Sequence, residues 1–317
     1  MKKAIVVTSG NKFIDIDGFA CVIAYAELLT LQGKTAVPLM TAHMNSSVPK
    51  GYIDRSIYEK DDSVLDQYDE KEYVILDLSD PKFFESCVEE DKIIHILDHH
   101  PGFEKYWGKI GERAVIESIG AAATLVVREF EKHNLLEKIS KKSAEFLAAA
   151  ILSNTLIFQM SMTTQEDKDA YETLKKFFDY DDGFEAQYFS EVVKNISQNI
   201  PNALRLDSKS IEVADKLIFI SQLELFQAEG FLEKEKSKAM EYLCTREEDY
   251  AFLNLVELNA KRNTIVFRDI ESLSYLREVF LDFEYNEEKL HAVTPELMLR
   301  KELLKGILSR YTNYSRP

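Results

Sequence analysis

Ile93-Ile94-His95-Ile96-Leu97 runs directly into Asp98-His99-His100. An apolar, β-branched run that ends in three metal-competent side chains reads as a buried strand with a polar carboxyl end. Two other runs end alike: Ala4-Ile5-Val6-Val7 leads into a loop carrying Asp15-Ile16-Asp17, and Tyr73-Val74-Ile75-Leu76 runs straight into Asp77. Parallel strands of an α/β sheet are covered on both faces, so they show such runs without polar alternation, and ligands collect beyond their carboxyl ends. Three strands therefore aim acids and imidazoles at one place. Aspartate and histidine without paired cysteines suit Mg²⁺, Mn²⁺, Co²⁺ or Zn²⁺ rather than an iron–sulfur cluster, with two cations sharing a carboxylate as the expected arrangement.

Working outward, strand-like runs at 4–8, 35–40, 73–77, 93–97 and 113–117 alternate with helix-period segments at 18–32, 81–88 and 120–134. That alternation predicts an α/β fold with a doubly wound parallel sheet. Helical texture continues through 142–158 and 165–178, giving a first domain over 1–185, a connection over 186–203 and a second domain over 204–317. In the second, smaller α+β domain, strands at 210–213, 217–223, 250–256 and 263–268 and helices at 225–246, 273–279 and 294–311 predict a mixed sheet. A cleft between the two domains is the expected setting for a substrate. Taken singly, each strand-end Asp is more often a cap or turn residue. Asp17, just before the amphipathic stretch Phe19 to Leu31, could cap a helix, and His95, alternating with isoleucines, reads as a sheet-face residue.

Composition narrows the function classes. The 317 residues are 45% hydrophobic and 30% charged, an ordinary globular balance, and long enough for two domains. With 39 basic against 55 acidic residues the formal net charge is −16, which argues against a nucleic-acid or anionic-membrane surface. The apolar run after Met1-Lys2-Lys3 stops too soon for a signal peptide, and no run has bilayer-spanning length. Cys21, Cys87 and Cys244 have no CxxC spacing and fit reduced, cytoplasmic thiols.

These residues together resemble the DHH phosphoesterase superfamily, in the branch holding family II (manganese-dependent) inorganic pyrophosphatases, exopolyphosphatases and prune-like proteins. Gly10-Asn11-Lys12-Phe13-Ile14-Asp15-Ile16-Asp17 looks like the first motif, Asp77 the second and Asp98-His99-His100 the third. Ile151 to Phe158, with Thr163-Thr164 and Asp167, looks like the fourth, and Asp207-Ser208-Lys209 and Arg300-Lys301 resemble the substrate-contacting segments of the second domain. The resemblance implies that Asp15, Asp17, Asp77 and His99 ligate one or two Mn²⁺ or Mg²⁺ ions, with Asp77 bridging. It implies that Asp98 orients His99, that His100 is the general acid, and that Lys209, Arg300 and Lys301 clamp phosphate oxygens. Pyrophosphate or a short polyphosphate would be the substrate, and a homodimer is permitted.

Two positions depart from the family pattern. Family II pyrophosphatases have His where this chain has Asn11 and Asp where it has Asn154, and both exchanges weaken metal affinity, because an amide brings neither a ring nitrogen nor a charge. Gly-Asn at the first position is what exopolyphosphatases and prune-like proteins show. The alternatives are a weakened or inactive binder of a phosphorylated ligand or protein, and an oligonucleotide phosphodiesterase. The latter is disfavoured because the chain has no Gly-Gly pair.

Overall fold

The computed structural model describes residues 1–226 and 228–313, and the chain divides into two compact units, Met1–Tyr188 and Phe189 onward. The first is built on five parallel strands: β1 (Lys3–Thr8), β3 (Ala36–Leu39), β5 (Glu70–Leu76), β6 (Ile93–Asp98) and β7 (Ala114–Ile116), in the spatial order β3-β1-β5-β6-β7. A two-residue parallel pair, β2 (Phe13–Ile14) and β4 (His43–Met44), stands apart from this sheet. The chain leaves β1 for β3 on one side and returns to β5 on the other, so the order reverses at β1. In an open α/β sheet the crevice at such a reversal, beyond the carboxyl ends, is where ligands bind. Register keeps those ends level, with Thr8 opposite both Leu39 and Ile75, and Leu76 opposite Leu97.

Helices α1 (Ile16–Leu31), α2 (Glu104–Trp107), α3 (Ala122–Lys132), α4 (Lys141–Asn154) and α5 (Gln165–Leu174) complete the unit. Asp15 starts α1 by accepting the Gly18 N–H at 2.9 Å, the usual N-cap bond. Thirteen of the 16 residues of α1 are buried, which marks it as a central helix rather than a surface one with a single apolar stripe. The core around the sheet joins Val6, Tyr73, Ile75, Ile96, Phe84 and Trp107.

The expected helix at 81–88 is a single 3₁₀ turn, Pro81–Phe83. Its carbonyls are taken by a neighbour: the Phe83 oxygen accepts the Asn11 backbone N–H at 2.9 Å and the Phe84 oxygen accepts the Asn11 side-chain amide at 2.7 Å. Tertiary bonds thus replace the helical ones the periodicity suggested. The 186–203 stretch is helical as well, divided between α6 (Phe184–Gln198) and α7 (Ile200–Leu206). Asn199 caps α7, and Pro201 occupies its first turn, where a missing N–H costs nothing.

In the second unit, β8 (Ser208–Val213), β9 (Lys216–Leu225), β10 (Tyr250–Glu257), β11 (Arg262–Phe267), β12 (Glu284–Asn286) and β13 (His291–Val293) form a mixed sheet in the order β12-β13-β11-β10-β9-β8. Only β9 and β10 run parallel, and α8 (Ala228–Cys244) makes the crossover such a pair requires. Residue 227, within the expected helix 225–246, lies outside the described residues. Helices α9 (Ile270–Val279) and α10 (Arg300–Asn313) pack on a core of Ile220, Phe252, Ile265, Phe267, Leu276 and Ile307. The helix expected from Thr294 begins only at Arg300. Residues 294–299 are held to the sheet instead: the Asn263 N–H donates to Thr294 Oγ1 at 2.7 Å, and Met298 N–H to Asn263 Oδ1 at 3.0 Å. The short strands β12 and β13 were not expected from the sequence. No described helix is long and apolar enough to cross a membrane.

Candidate metal centre

Asp77 follows the last residue of β5 with φ at +58°, a left-handed conformation that non-glycine residues seldom adopt and that concentrates at functional sites. Its carboxylate is buried, close to the two histidines that follow β6. Asp77 Oδ1 is buried without a hydrogen-bond partner; His99 Nε2 lies 3.4 Å away and His100 Nδ1 3.8 Å away, distances of charge contact rather than of a formed bond. Ligand atoms of Asp77, His99 and His100 all fall within 4.8 Å of one another. His99 Nδ1 meets the Ile119 carbonyl at 3.1 Å. A carbonyl only accepts, so Nδ1 carries the proton and Nε2 is the nitrogen offered to the carboxylates, the tautomer a metal ligand needs.

The charges around this point do not balance by themselves. Burial, and then the charges of Asp15 and Asp17, push the Asp77 carboxyl well above the ordinary range; burial likewise raises Asp17, against the pull of His99. Burial works to lower His99, yet Asp77 and Asp17 outweigh it and push the imidazole up to about 10. Several buried acids thus compete for one imidazolium, a deficit that a divalent cation relieves. The donor set of carboxylate oxygens and one correctly oriented imidazole fits Mn²⁺ or Mg²⁺. Asp15 belongs to this surrounding: it lines the same cavity as Asp77, with one oxygen committed to capping α1.

Asp17 is placed differently from the ligand role expected for it. Its Oδ1 accepts the Ala123 N–H at 2.8 Å and the Cys21 thiol at 3.4 Å; its Oδ2 accepts the Ala122 N–H at 2.8 Å and the Asn154 side-chain amide. A carboxylate offers about four lone-pair directions, and here all four meet donors. Asp17 therefore completes the N-terminus of α3, whose first N–H groups have no helical partner, and Asn154 at the end of α4 binds it as a donor. His99 Nε2 remains 3.8 Å from Asp17 Oδ2.

Asp98 also has another partner than the one expected. Its Oδ1 takes both the backbone N–H and the ring of His100, at 3.0 and 2.9 Å, while His99 is oriented by Ile119. The two rings lie side by side, their centres 4.3 Å apart, and the bond with Asp98 is made by the second. Burial works to lower His100, but the bond to Asp98 and the charge of Asp77 raise it on balance. Its ring is largely exposed, in contrast to His99. His95 points elsewhere, 2.5 Å from the Tyr25 hydroxyl.

Asn11 donates its side-chain N–H to the Phe84 carbonyl, so the side-chain oxygen is the atom it has for an ion. In the second unit Lys209 is exposed on β8, and Lys301, also exposed, is 3.7 Å from Glu302. Arg300 is not a free cation: its guanidinium meets Asp207 at 2.5 Å, two residues before Lys209, and its backbone N–H donates to Gln222 at 2.6 Å. Sequence reasoning missed what holds Arg300 there. Gln222 on β9, Asn254 on β10 and Asn263 on β11 form a buried amide ladder that binds the Met298 carbonyl. Buried amides within otherwise apolar strands were the available signal. Missed too were Ile119, Ala122 and Ala123, which act through backbone atoms that any residue type supplies.

The fold and motif order define a class: two units, a parallel sheet whose strand ends gather aspartates and histidines, then a mixed sheet. No family model matches the chain. It is 22% identical over 313 residues to a probable manganese-dependent inorganic pyrophosphatase of Clostridium acetobutylicum, covering 94% of this chain and 95% of that protein. Among solved structures it superposes on a Methanococcus jannaschii protein assigned to family II inorganic pyrophosphatases, with a TM-score of 0.61 and 18% identity, covering 97% and 99% of the two chains. An exopolyphosphatase-related protein from Bacteroides fragilis gives a TM-score of 0.51 at 14% identity, covering 99% and 93%. These matches agree with the resemblance to the DHH phosphoesterase superfamily carried by the motifs. The chain's relatives fall in the branch of family II inorganic pyrophosphatases and exopolyphosphatase-related proteins.

Proposed function

We propose that this chain is a divalent-cation-dependent hydrolase of phosphoanhydride bonds, acting on pyrophosphate or a short polyphosphate, with one Mn²⁺ or Mg²⁺ held by Asp77, His99 and Asp15. The observation that carries the reading is Asp77 itself: left-handed backbone, a buried oxygen without a partner, and two imidazoles facing it at the strand-order reversal. The names of the relatives support the substrate class. A bound divalent ion would lower the pKa of a water and offset the charge of the attacked phosphoryl group. His99 is kept in the ligating tautomer by Ile119. His100, exposed and anchored to Asp98, is positioned to give a proton to the departing phosphate. Lys209, Arg300 and Lys301 are proposed to contact phosphate oxygens, a role carried by the resemblance. Asp17, with its lone pairs directed at four donors, is assigned to support the centre rather than ligate it.

Phosphate release from pyrophosphate, tripolyphosphate and longer chains, each with Mg²⁺, Mn²⁺ and Co²⁺, tests the proposal directly. Asp77→Ala should lower turnover by about a thousandfold or more, and His100→Gln should reduce kcat by roughly 10²- to 10⁴-fold with a smaller change in KM. Variants of Lys209 and Lys301 should act mainly on KM. Full activity in Asp77→Ala, or no release from any substrate and metal pairing, rejects the proposal.

A further inference from the structure

Beside Asp77 the first unit holds a cavity of about 400 Å³, and much of its wall is apolar: Phe13, Leu78, Phe83, Pro101 and Phe103. The rest of its lining includes Asp15, Asp77, Asp98 and His100, so the cavity and the metal centre share a wall. A space of this size is within the range of sites for small organic ligands. Phosphate groups are charged and strongly hydrated and gain little from an apolar wall. Phenylalanine rings, in contrast, offer faces on which a flat heterocycle stacks, and Phe13 is 39% exposed, with its ring unburied by the fold.

Charge sets the direction of the occupant. Lys12 is the one lysine or arginine among the lining residues, and its ammonium lies 3.8 Å from the centre of the Phe83 ring; Asp15, Asp77, Asp80 and Asp98 are all acidic. A run of phosphates extending into this cavity would meet carboxylates, whereas an uncharged ring would not. Because Asp15 and Asp77 line both places, the ring must be attached close to the phosphate at the centre.

We propose that the cavity is a nucleobase subsite and that the preferred substrate is a nucleoside diphosphate. The proposal rests on the reading of the centre as a phosphoanhydride hydrolase and narrows its substrate. Water adds to the β-phosphorus, the bond from that phosphorus to the bridging oxygen breaks, and the bridging oxygen leaves on the α-phosphate. The products are a nucleoside monophosphate and orthophosphate, with the proton of the attacking water passing to the products or to solvent.

Calorimetric titration of the full chain with Mn²⁺ present, using α,β-methylene-ADP and methylenediphosphonate, separates the ring's contribution from that of the phosphates. Stacking on one aromatic ring changes affinity by roughly 5- to 150-fold, so the nucleotide analogue should bind at least about tenfold more tightly. Phe13→Ala, at an exposed position, and Phe103→Leu, which keeps most of the packing volume, should each narrow that gap. Pyrophosphate hydrolysis by the same samples distinguishes the two levels of the argument. If pyrophosphate is cleaved while both analogues bind equally, or the nucleotide preference survives both variants, the subsite is overturned and the hydrolase stands. If neither analogue binds and no substrate is cleaved, both are overturned.

Discussion

Replacing the Asn154 amide by a carboxylate turns its contact with Asp17 from attraction to repulsion. In the native chain the amide donates to Asp17 Oδ2 while two α3 N–H groups and a thiol fill the remaining directions. Asp17 is wholly buried, so Asn154→Asp would set two buried carboxylates against each other with no added donor. Such a pair must take up a proton or a cation. We expect about one Mn²⁺ per chain in the native protein and close to two in Asn154→Asp, measured by metal analysis after gel filtration. With chelator present the variant should lose on the order of 2–4 kcal/mol of stability, regained with Mn²⁺. Equal metal content in the two proteins would rule this out. The departure at 154 was legible in the sequence as a weaker ligand. That an amide is also a donor, aimed at Asp17, was not, because spacing along the chain does not say which atoms face each other across 137 residues. The same limit applies to Asp98, which the resemblance pairs with His99 and the geometry bonds to His100.

At the scale of elements, the loop before α3 ties the centre to the rest of the first unit. Asp167, buried inside the capping box that starts α5, accepts the Gly120 N–H at 3.0 Å and the Thr124 hydroxyl at 2.6 Å. The next residue back, Ile119, holds His99. A Cβ on Gly120 would lie 2.6 Å from Thr155 Cγ2 and 2.7 Å from Asp167 Oδ2, so nothing larger than glycine fits without displacing that lock. Asp167→Ala leaves several buried donors unsatisfied and should cost about 3 kcal/mol or more, read by denaturant unfolding. It should also weaken Mn²⁺ binding although Asp167 is no ligand; a variant with lost stability and native metal affinity would break the connection drawn here. The five strands of the first sheet and β8 to β11 of the second were legible, because buried apolar runs have few other readings; the three-residue strands β12 and β13 were too short to show one. The helices expected at 81–88 and from 294 failed for one shared reason. Asn11 takes the carbonyls of Phe83 and Phe84, and Asn263 engages Thr294 and Met298, so partners distant in sequence override a local periodicity.

Over the whole molecule, two separate cores imply two unfolding transitions with different sensitivities. The metal centre lies within the first unit, so an ion at a hundredfold excess over its Kd should stabilise that unit by about 2.7 kcal/mol and leave the other nearly unmoved. The second unit carries its own pH dependence. Glu248, almost fully buried, accepts from Ser210 at 2.6 Å and from Arg246 at 2.8 Å. Burial alone would raise its pKa, but the bonds from Arg246 and Ser210 prevail and bring it from 4.5 down to about 2. A carboxylate depressed on folding contributes stability that is fully present above its unfolded value. That stability is lost as pH falls from about 4.5 towards about 2, here on the order of 2–3 kcal/mol. Scanning calorimetry at neutral pH should therefore show Mn²⁺ raising one transition and Glu248→Gln lowering the other. The gap between native chain and Glu248→Gln should close on acidification through that window. A gap unchanged by pH would mean that Glu248 acts through packing rather than charge. One transition shifted by both Mn²⁺ and Glu248→Gln would mean that the two cores unfold as a single cooperative body, and would remove the basis for treating their stabilities separately.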